Sequence, residues 1–158
     1  MLRNYWGNFK LELSLQLATS VEHELVITMM QEYYALDGLD YNKAVSQAVL
    51  TLLNHPEWGQ VNLLQQDQVT IGYAVLTYGF SLEFKGRSAL LDEIYLRPDY
   101  RGKGLGTQVI ESLASYCQQN GFNSLRLEVE HENTVAHNLY LRQDFMDHER
   151  YLMTRWLI

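Results

Sequence analysis

Cysteine is almost absent from this 158-residue chain: Cys117 stands alone, so no intramolecular disulfide can form. A reducing, cytoplasmic setting is therefore the default expectation. Val109, Ile110, Leu113 and Ala114 share its helical face, which favours packing over nucleophilic use. Basic residues are also scarce, with 12 Lys and Arg against 19 Asp and Glu and a formal net charge of -7. That balance argues against nucleic acid, whose binders need a basic face to displace counterions. No apolar run approaches the length that crosses a bilayer, so no membrane partner is expected. Residues 1–10 mix polar and aromatic side chains without the apolar stretch of a signal peptide. His131 and His137 with Glu132 miss a zinc-ligand spacing, and no metal site is expected. No serine, histidine and acid grouping stands at a nucleophile elbow. Hydrophobic content of 47% with 20% charged residues is ordinary for a globular chain. The length predicts a single domain over 1–158, with 1–10 as an extension outside its core.

The most informative stretch that is present is Arg101-Gly102-Lys103-Gly104-Leu105-Gly106. A strand-like run over Leu90–Leu96 enters it through a Pro98 turn, and a helix-like run from Thr107 to Gln119 leaves it. Glycines at alternate positions let the backbone turn tightly and approach a ligand without Cβ obstruction. The helix that opens there aims unpaired N–H groups and a positive dipole end into the turn. With Arg101 and Lys103 beside it, the loop predicts a seat for a pyrophosphate, hence a nucleotide-containing cofactor. A Walker A loop is excluded, because Gly104 follows Gly102-Lys103 where Ser or Thr is required. A dinucleotide fingerprint fits poorly: the spacing is Gly-x-Gly-x-Gly, and five residues separate Leu96 from Gly102.

The pattern of the chain supplies the rest of the frame. Alternating leucines predict a strand over Phe9–Leu17, and Thr19 with Glu22 has capping-box spacing ahead of a helix that Gly38 can stop. A second helix is predicted from Tyr41 to Leu53, ending before Pro56. Gln60–Gln65 and Val69–Tyr78 read as a hairpin about Asp67, and Gly79–Arg87 as a further turn region. After Asn120-Gly121, Ser124–Glu130 alternates as a strand, Asn133 caps a short helix through Leu141, and Met146 onward with Tyr151–Leu157 reads as closing strand material.

The strand, loop and helix together, Leu91-Asp92-Glu93-Ile94-Tyr95-Leu96-Arg97-Pro98-Asp99-Tyr100-Arg101-Gly102-Lys103-Gly104-Leu105-Gly106, closely resemble the coenzyme A loop of the GNAT family of N-acetyltransferases. The likeness covers nearly the whole chain, sharpest from Leu90 to Tyr140, and the stretch before Leu11 lies outside it. It implies an α/β fold with a mixed, mostly antiparallel sheet of about six or seven strands and about four helices. It implies acetyl-CoA as co-substrate and transfer to a primary amine by direct attack in a ternary complex. Backbone groups of Ile94, Tyr95 and Leu96 would pair with the pantetheine arm. Those of Arg101, Gly102, Lys103, Gly104, Leu105 and Gly106, with the Thr107 hydroxyl, would hold the pyrophosphate. Asn133 and Tyr140 share a helical face, and the resemblance gives Asn133 a contact to the arm and Tyr140 the proton for the leaving thiolate. Asp92 and Glu93, expected on opposite faces of one strand, are the candidates for general base, Asp92 slightly favoured. Glu128 and Glu130 remain open as bases through water. A small amine, polyamine-like, is the favoured acceptor, from likeness around Tyr78 to Arg87. Protein or peptide amines, or a non-catalytic acyl-CoA-binding module, are the alternatives. Family members often pair as homodimers, and a dimer is expected here on that ground alone.

Overall fold

The computed structural model describes residues 13–157. Five strands form one sheet in the order β1-β2-β3-β4-β5: β1 Leu13–Leu17, β2 Gly59–Gln66, β3 Val69–Ser81, β4 Gly86–Leu96 and β5 Ser124–Leu127. Four α-helices occur among the described residues: α1 His23–Asp37, α2 Lys43–Asn54, α3 Leu105–Gln119 and α4 Thr134–Leu141. The first three pairings are antiparallel and β4–β5 is parallel, with α3 as the crossover. The chain divides into two compact units, Met1–Glu128 and Val129–Ile158. Among the described residues no helix is long and apolar enough to cross a membrane.

Local chemistry accounts for most boundaries. Thr19 and Glu22 close their capping box over a short 3-10 turn, Ser20–Glu22, that feeds α1. Gly38 ends α1 at φ 67, where a Cβ would be strained. The Asn42 side chain accepts from the Ala44 N–H at 2.9 Å and starts α2. Asp67 and Gln68, at φ 50 and 66, form the tight turn of the β2–β3 hairpin.

Side-chain alternation on the strands then buries both sheet faces. Val61 and Leu63 of β2, Tyr73 and Val75 of β3 and Tyr95 of β4 cluster with Val26, Ile27, Met29 and Met30 of α1 and Val49 of α2. Residues of the opposite parity look toward α3: the Tyr116 hydroxyl donates to Gln60 at 2.7 Å and stands 3.2 Å from the Tyr78 hydroxyl. Cys117 is buried on α3, and burial pushes its thiol up to about 11, so it packs and holds its proton.

The part of the first predicted strand before Leu13 and the whole 1–10 extension lie outside the described residues. Two expectations change. β5 ends at Leu127, three residues short of the predicted Glu130. No strand forms over 146–157 among the described residues, so the sheet has five strands rather than six or seven. Tyr151, Leu152, Met153, Trp156 and Leu157 are instead exposed. A strand is made by its ladder partner as much as by its own side chains, and this segment pairs with no other described strand.

Candidate active site

The site in the first unit is built on an irregularity in β4. Val75 pairs with Glu93 and Leu76 with Leu91, which leaves Asp92 as an extra residue bulged from the ladder. The expected placement of Asp92 and Glu93 on opposite faces of a regular strand is thus altered, since a bulge breaks the alternation at Asp92. Parallel pairing with β5 runs from Ser88↔Ser124 to Leu91↔Leu127 and stops at the same place. From Glu93 to Leu96, β4 is paired to β3 on one side, and on the other its edge is open, with no ladder partner among the described residues. The Arg97 N–H donates to the Ile71 carbonyl at 2.9 Å, which phases the ladder. By the alternation of antiparallel pairs, Glu93 and Tyr95 spend their backbone groups on β3, whereas Ile94 and Leu96 present theirs to the open edge. Of the three backbone contributors expected from the sequence, Ile94 keeps both its groups and Leu96 its N–H, the Leu96 carbonyl being taken by Arg101 Nε at 2.7 Å; Tyr95 spends its groups on β3. The Tyr95 ring is buried, and its hydroxyl donates to Glu32 of α1 at 3.1 Å.

The two adjacent carboxylates occupy different surroundings. Glu93 is held by two hydroxyls, Tyr34 donating to Oε1 at 2.9 Å and Tyr73 to Oε2 at 2.8 Å. Burial raises its pKa, and the two hydroxyl donors offset part of that rise. The same carboxylate, with burial, keeps Tyr34 and Tyr73 protonated. Asp92 makes no hydrogen bond or ion pair among the described residues. It reaches solvent but is partly desolvated by the protein around it, and its pKa is raised for that reason. Glu128 lies exposed just past the end of β5.

Beyond β4 the chain makes a 3-10 turn, Pro98–Tyr100, and then the glycine loop. Gly102 and Gly104 sit at φ 72 and 76, the left-handed region, with nothing within 4 Å of the place a Cβ would take. Backbone conformation requires glycine here, and the space beside the loop is open. Gly104 caps α3, and the first intrahelical bond is Gln108 N–H to the Gly104 carbonyl at 3.4 Å. The N–H groups of Leu105, Gly106 and Thr107 come before it and have no intrahelical acceptor. Such a cradle suits a pyrophosphate. Arg101 folds back instead of reaching out: its Nε donates to the Leu96 carbonyl at 2.7 Å, and its guanidinium lies 5.6 Å from the Tyr95 ring centroid. Lys103 lies 5.6 Å from the Tyr100 ring centroid.

A brace not legible in the sequence fixes this corner. Arg97 grips Glu32 through Nε and Nη2, both at 3.0 Å, and donates to the Thr70 carbonyl at 3.2 Å. The Arg97 guanidinium holds the Glu32 carboxyl below the usual carboxylate range. Glu32, Tyr34 and Tyr73 lie far from the loop in sequence, and no spacing rule connects them to it.

The second unit carries the other two expected residues. Asn133 caps α4, its Oδ1 accepting the Ala136 N–H at 3.1 Å, so that oxygen is committed to the helix. Tyr140 is buried with its ring 5.7 Å from that of Phe145, and burial raises its hydroxyl pKa. His137 is paired with Asp147 at 2.8 Å. Among the described residues no cluster of His, Cys, Asp and Glu is placed to hold a metal.

A family model described as "Acetyltransferase (GNAT) family" matches residues 26–145. The chain belongs to the GNAT family. Acetyl-CoA-dependent acyl transfer is its reaction class, with acetyl-CoA as co-substrate. Thialysine N-epsilon-acetyltransferase of Mus musculus is 30% identical over 139 residues, covering 86% of this chain and 76% of the mouse protein. The Bos taurus protein of that name is 36% identical over 75 residues, covering 48% of this chain and 44% of its own length. Among solved structures, an integron cassette protein from the Cole Harbour Salt Marsh metagenome superposes with TM-score 0.79 at 28% identity, covering 91% of this chain and 90% of the other. A protein from Clostridium acetobutylicum described as a predicted acetyltransferase, solved with acetyl-CoA, superposes with TM-score 0.74 at 14% identity, covering 91% and 96%. These likenesses accord with the GNAT-type α/β fold expected from the glycine loop and its flanking elements.

Proposed function

We propose that this GNAT protein acetylates a primary amine of a small molecule by direct attack, with Asp92 as general base and Tyr140 as general acid. The observation that carries this is the coincidence of bulge, open edge and glycine cradle along β4. Pairing with β5 ends at Leu91, Asp92 protrudes, Ile94 offers its N–H and carbonyl and Leu96 its N–H, and the strand leads through the Pro98–Tyr100 turn to the loop. Acetyl-CoA, when bound, supplies a thioester carbonyl as acyl donor. Backbone N–H groups from Gly102 to Gly106 and the Thr107 hydroxyl take the pyrophosphate, the expected Arg101 N–H being spent on the Pro98 carbonyl at 3.1 Å, while Ile94 and the Leu96 N–H align the pantetheine arm. Asn133 contributes its amide N–H to the same arm.

Asp92 is favoured over Glu93 as the base because both Glu93 oxygens already accept tyrosine hydroxyls. Asp92 has no such partner, and its raised pKa brings it nearer to the amine it must deprotonate. Being short, it acts through a bridging water. The N–H of Ile94, on the open edge, is a donor for developing charge on the carbonyl oxygen. Tyr140 keeps its proton at neutral pH, as a donor to sulfur must. Glu93 contributes fixed negative charge that favours a cationic acceptor, in keeping with the small-amine, polyamine-like class expected from the sequence. The relatives named for thialysine point to a small-molecule acceptor as well.

The test is release of free CoA from acetyl-CoA across a panel of diamines, polyamines, amino acids and lysine-containing peptides. Turnover with small amines that drops about a hundredfold or more in Asp92→Asn, while CoA still binds, is the expected result. Turnover confined to peptides, or full activity in Asp92→Asn, would overturn the acceptor class or the base respectively.

A further inference from the structure

The face of the sheet that α1 and α2 cover at Tyr73, Val75 and Tyr95 continues along β3 and β4 to Thr77, Leu90 and Ser88. There a groove of about 220 Å³ opens, lined by Thr77, Phe80, Ser81, Ser88, Leu90 and Arg126 among others. Strand register aligns it: Thr77 stands opposite Leu90, and Leu90 opposite Arg126. Arg126 is the one charged side chain in the lining. Its guanidinium rests 5.0 Å from the Phe84 ring centroid and makes no ion pair among the described residues. Arg87, the other cation nearby in sequence register, is committed elsewhere, stacked 4.0 Å from Phe122 and bonded to the Asn120 carbonyl at 2.9 Å. Ser88 is buried and accepts from the Ser124 hydroxyl at 3.0 Å, which leaves its own O–H to donate.

A guanidinium with flanking hydroxyl donors, steadied by an aromatic ring, is suited to a planar carboxylate. The groove lies on the strand that leads to Asp92 and Glu93. Leu90 and Glu93 are three positions apart on β4, bulge included, roughly 7–10 Å at strand rise. We propose that Arg126, with Ser88 and Thr77, forms a carboxylate subsite, so that the acceptor is a primary amine carrying a carboxylate at the distance found in an extended lysine. This rests on the acetyl-transfer reading above and narrows its acceptor: negative groups at one end take the amine, and a lone cation at the other takes the acid. A plain diamine would leave Arg126 facing a second positive charge.

The probes are lysine, lysine methyl ester and 1,5-diaminopentane, compared by turnover and by thermal shift at saturating CoA in the intact chain. Lysine should exceed both others by about tenfold in kcat/KM. In Arg126→Gln that preference should collapse to within about twofold, the loss for lysine falling on KM rather than kcat. Arg126→Lys should recover part of it, since the charge returns without the fork. Equal use of the three amines by the wild type, or an equal loss for all three in Arg126→Gln, overturns the subsite. If no amine is turned over, the acetyl-transfer reading fails while the binding comparison still decides the subsite. A lysine-specific shift lost in Arg126→Gln upholds it, and equal shifts sink it.

Discussion

Of two adjacent acids in one strand, one is itself the inserted residue of a bulge and the other keeps its place in the ladder. Glu93 is tied by Tyr34 and Tyr73, whereas Asp92 bulges into the open. Partial desolvation raises the Asp92 pKa. The acidic limb of kcat/KM should therefore lie above the ordinary carboxylate range, with activity rising as pH rises and Asp92 loses its proton. In Asp92→Asn that limb should vanish along with most of the turnover; a pH–rate profile of both proteins reads it. Glu93 yields a stability prediction of defined sign. Its folded pKa is raised above the unfolded value, so the folded state binds more proton and stability falls as pH rises from the unfolded toward the folded pKa. Melting curves from pH 4 to 8 should show that decline in the wild type, and Glu93→Gln should flatten it. The presence of two acids at these positions is legible in the sequence, but their division of labour is not. A bulge is a matter of register against β3, and nothing in the string Leu91-Asp92-Glu93-Ile94 reports where the extra residue falls.

Elements bring the distant residues together. The α1 helix reaches the end of β4 through the Glu32–Arg97 pair, and Arg97 leads into the turn before the glycine loop. The pair is about a third exposed, so screening limits its worth to about 1 kcal/mol. Glu32→Gln should lower the melting temperature by about 2–4 °C and weaken CoA binding several-fold by loosening the corner. Because Arg97 depresses the Glu32 pKa, this contribution is present above the unfolded pKa and disappears as pH falls through the folded one. Wild type and variant should thus converge in acid, which chemical denaturation at pH 7 and pH 3 would show. Caps and turns that lie within a few residues were readable in advance: the Thr19–Glu22 box, the Gly38 stop, the Asp67 turn and the Gly102–Gly104 loop. Each is governed by local backbone chemistry. The shortened β5 and the missing terminal strand were not readable, because alternation in Ser124–Glu130 and Tyr151–Leu157 describes a strand only if a neighbour continues beside it.

At the scale of the molecule, both proposed working regions lie in the first unit. One is the open edge of β4 with its loop, and the other is the groove around Arg126. A ligand that binds only the folded chain stabilises it by mass action, by about 2.7 kcal/mol at a hundred times its Kd. Acetyl-CoA and CoA should both raise the melting temperature, and NAD should not. Most directly, the account stands on calorimetric titration of CoA into the wild type and Gly104→Val, with far-ultraviolet circular dichroism to verify that both are folded. Gly104 sits at φ 76 in open space, so a β-branched side chain there strains the turn and fills the cradle. Saturable binding by the wild type that disappears in a folded Gly104→Val is the predicted result. Equal affinity in the two proteins, or no binding by either, would contradict the assignment of this loop as the coenzyme seat.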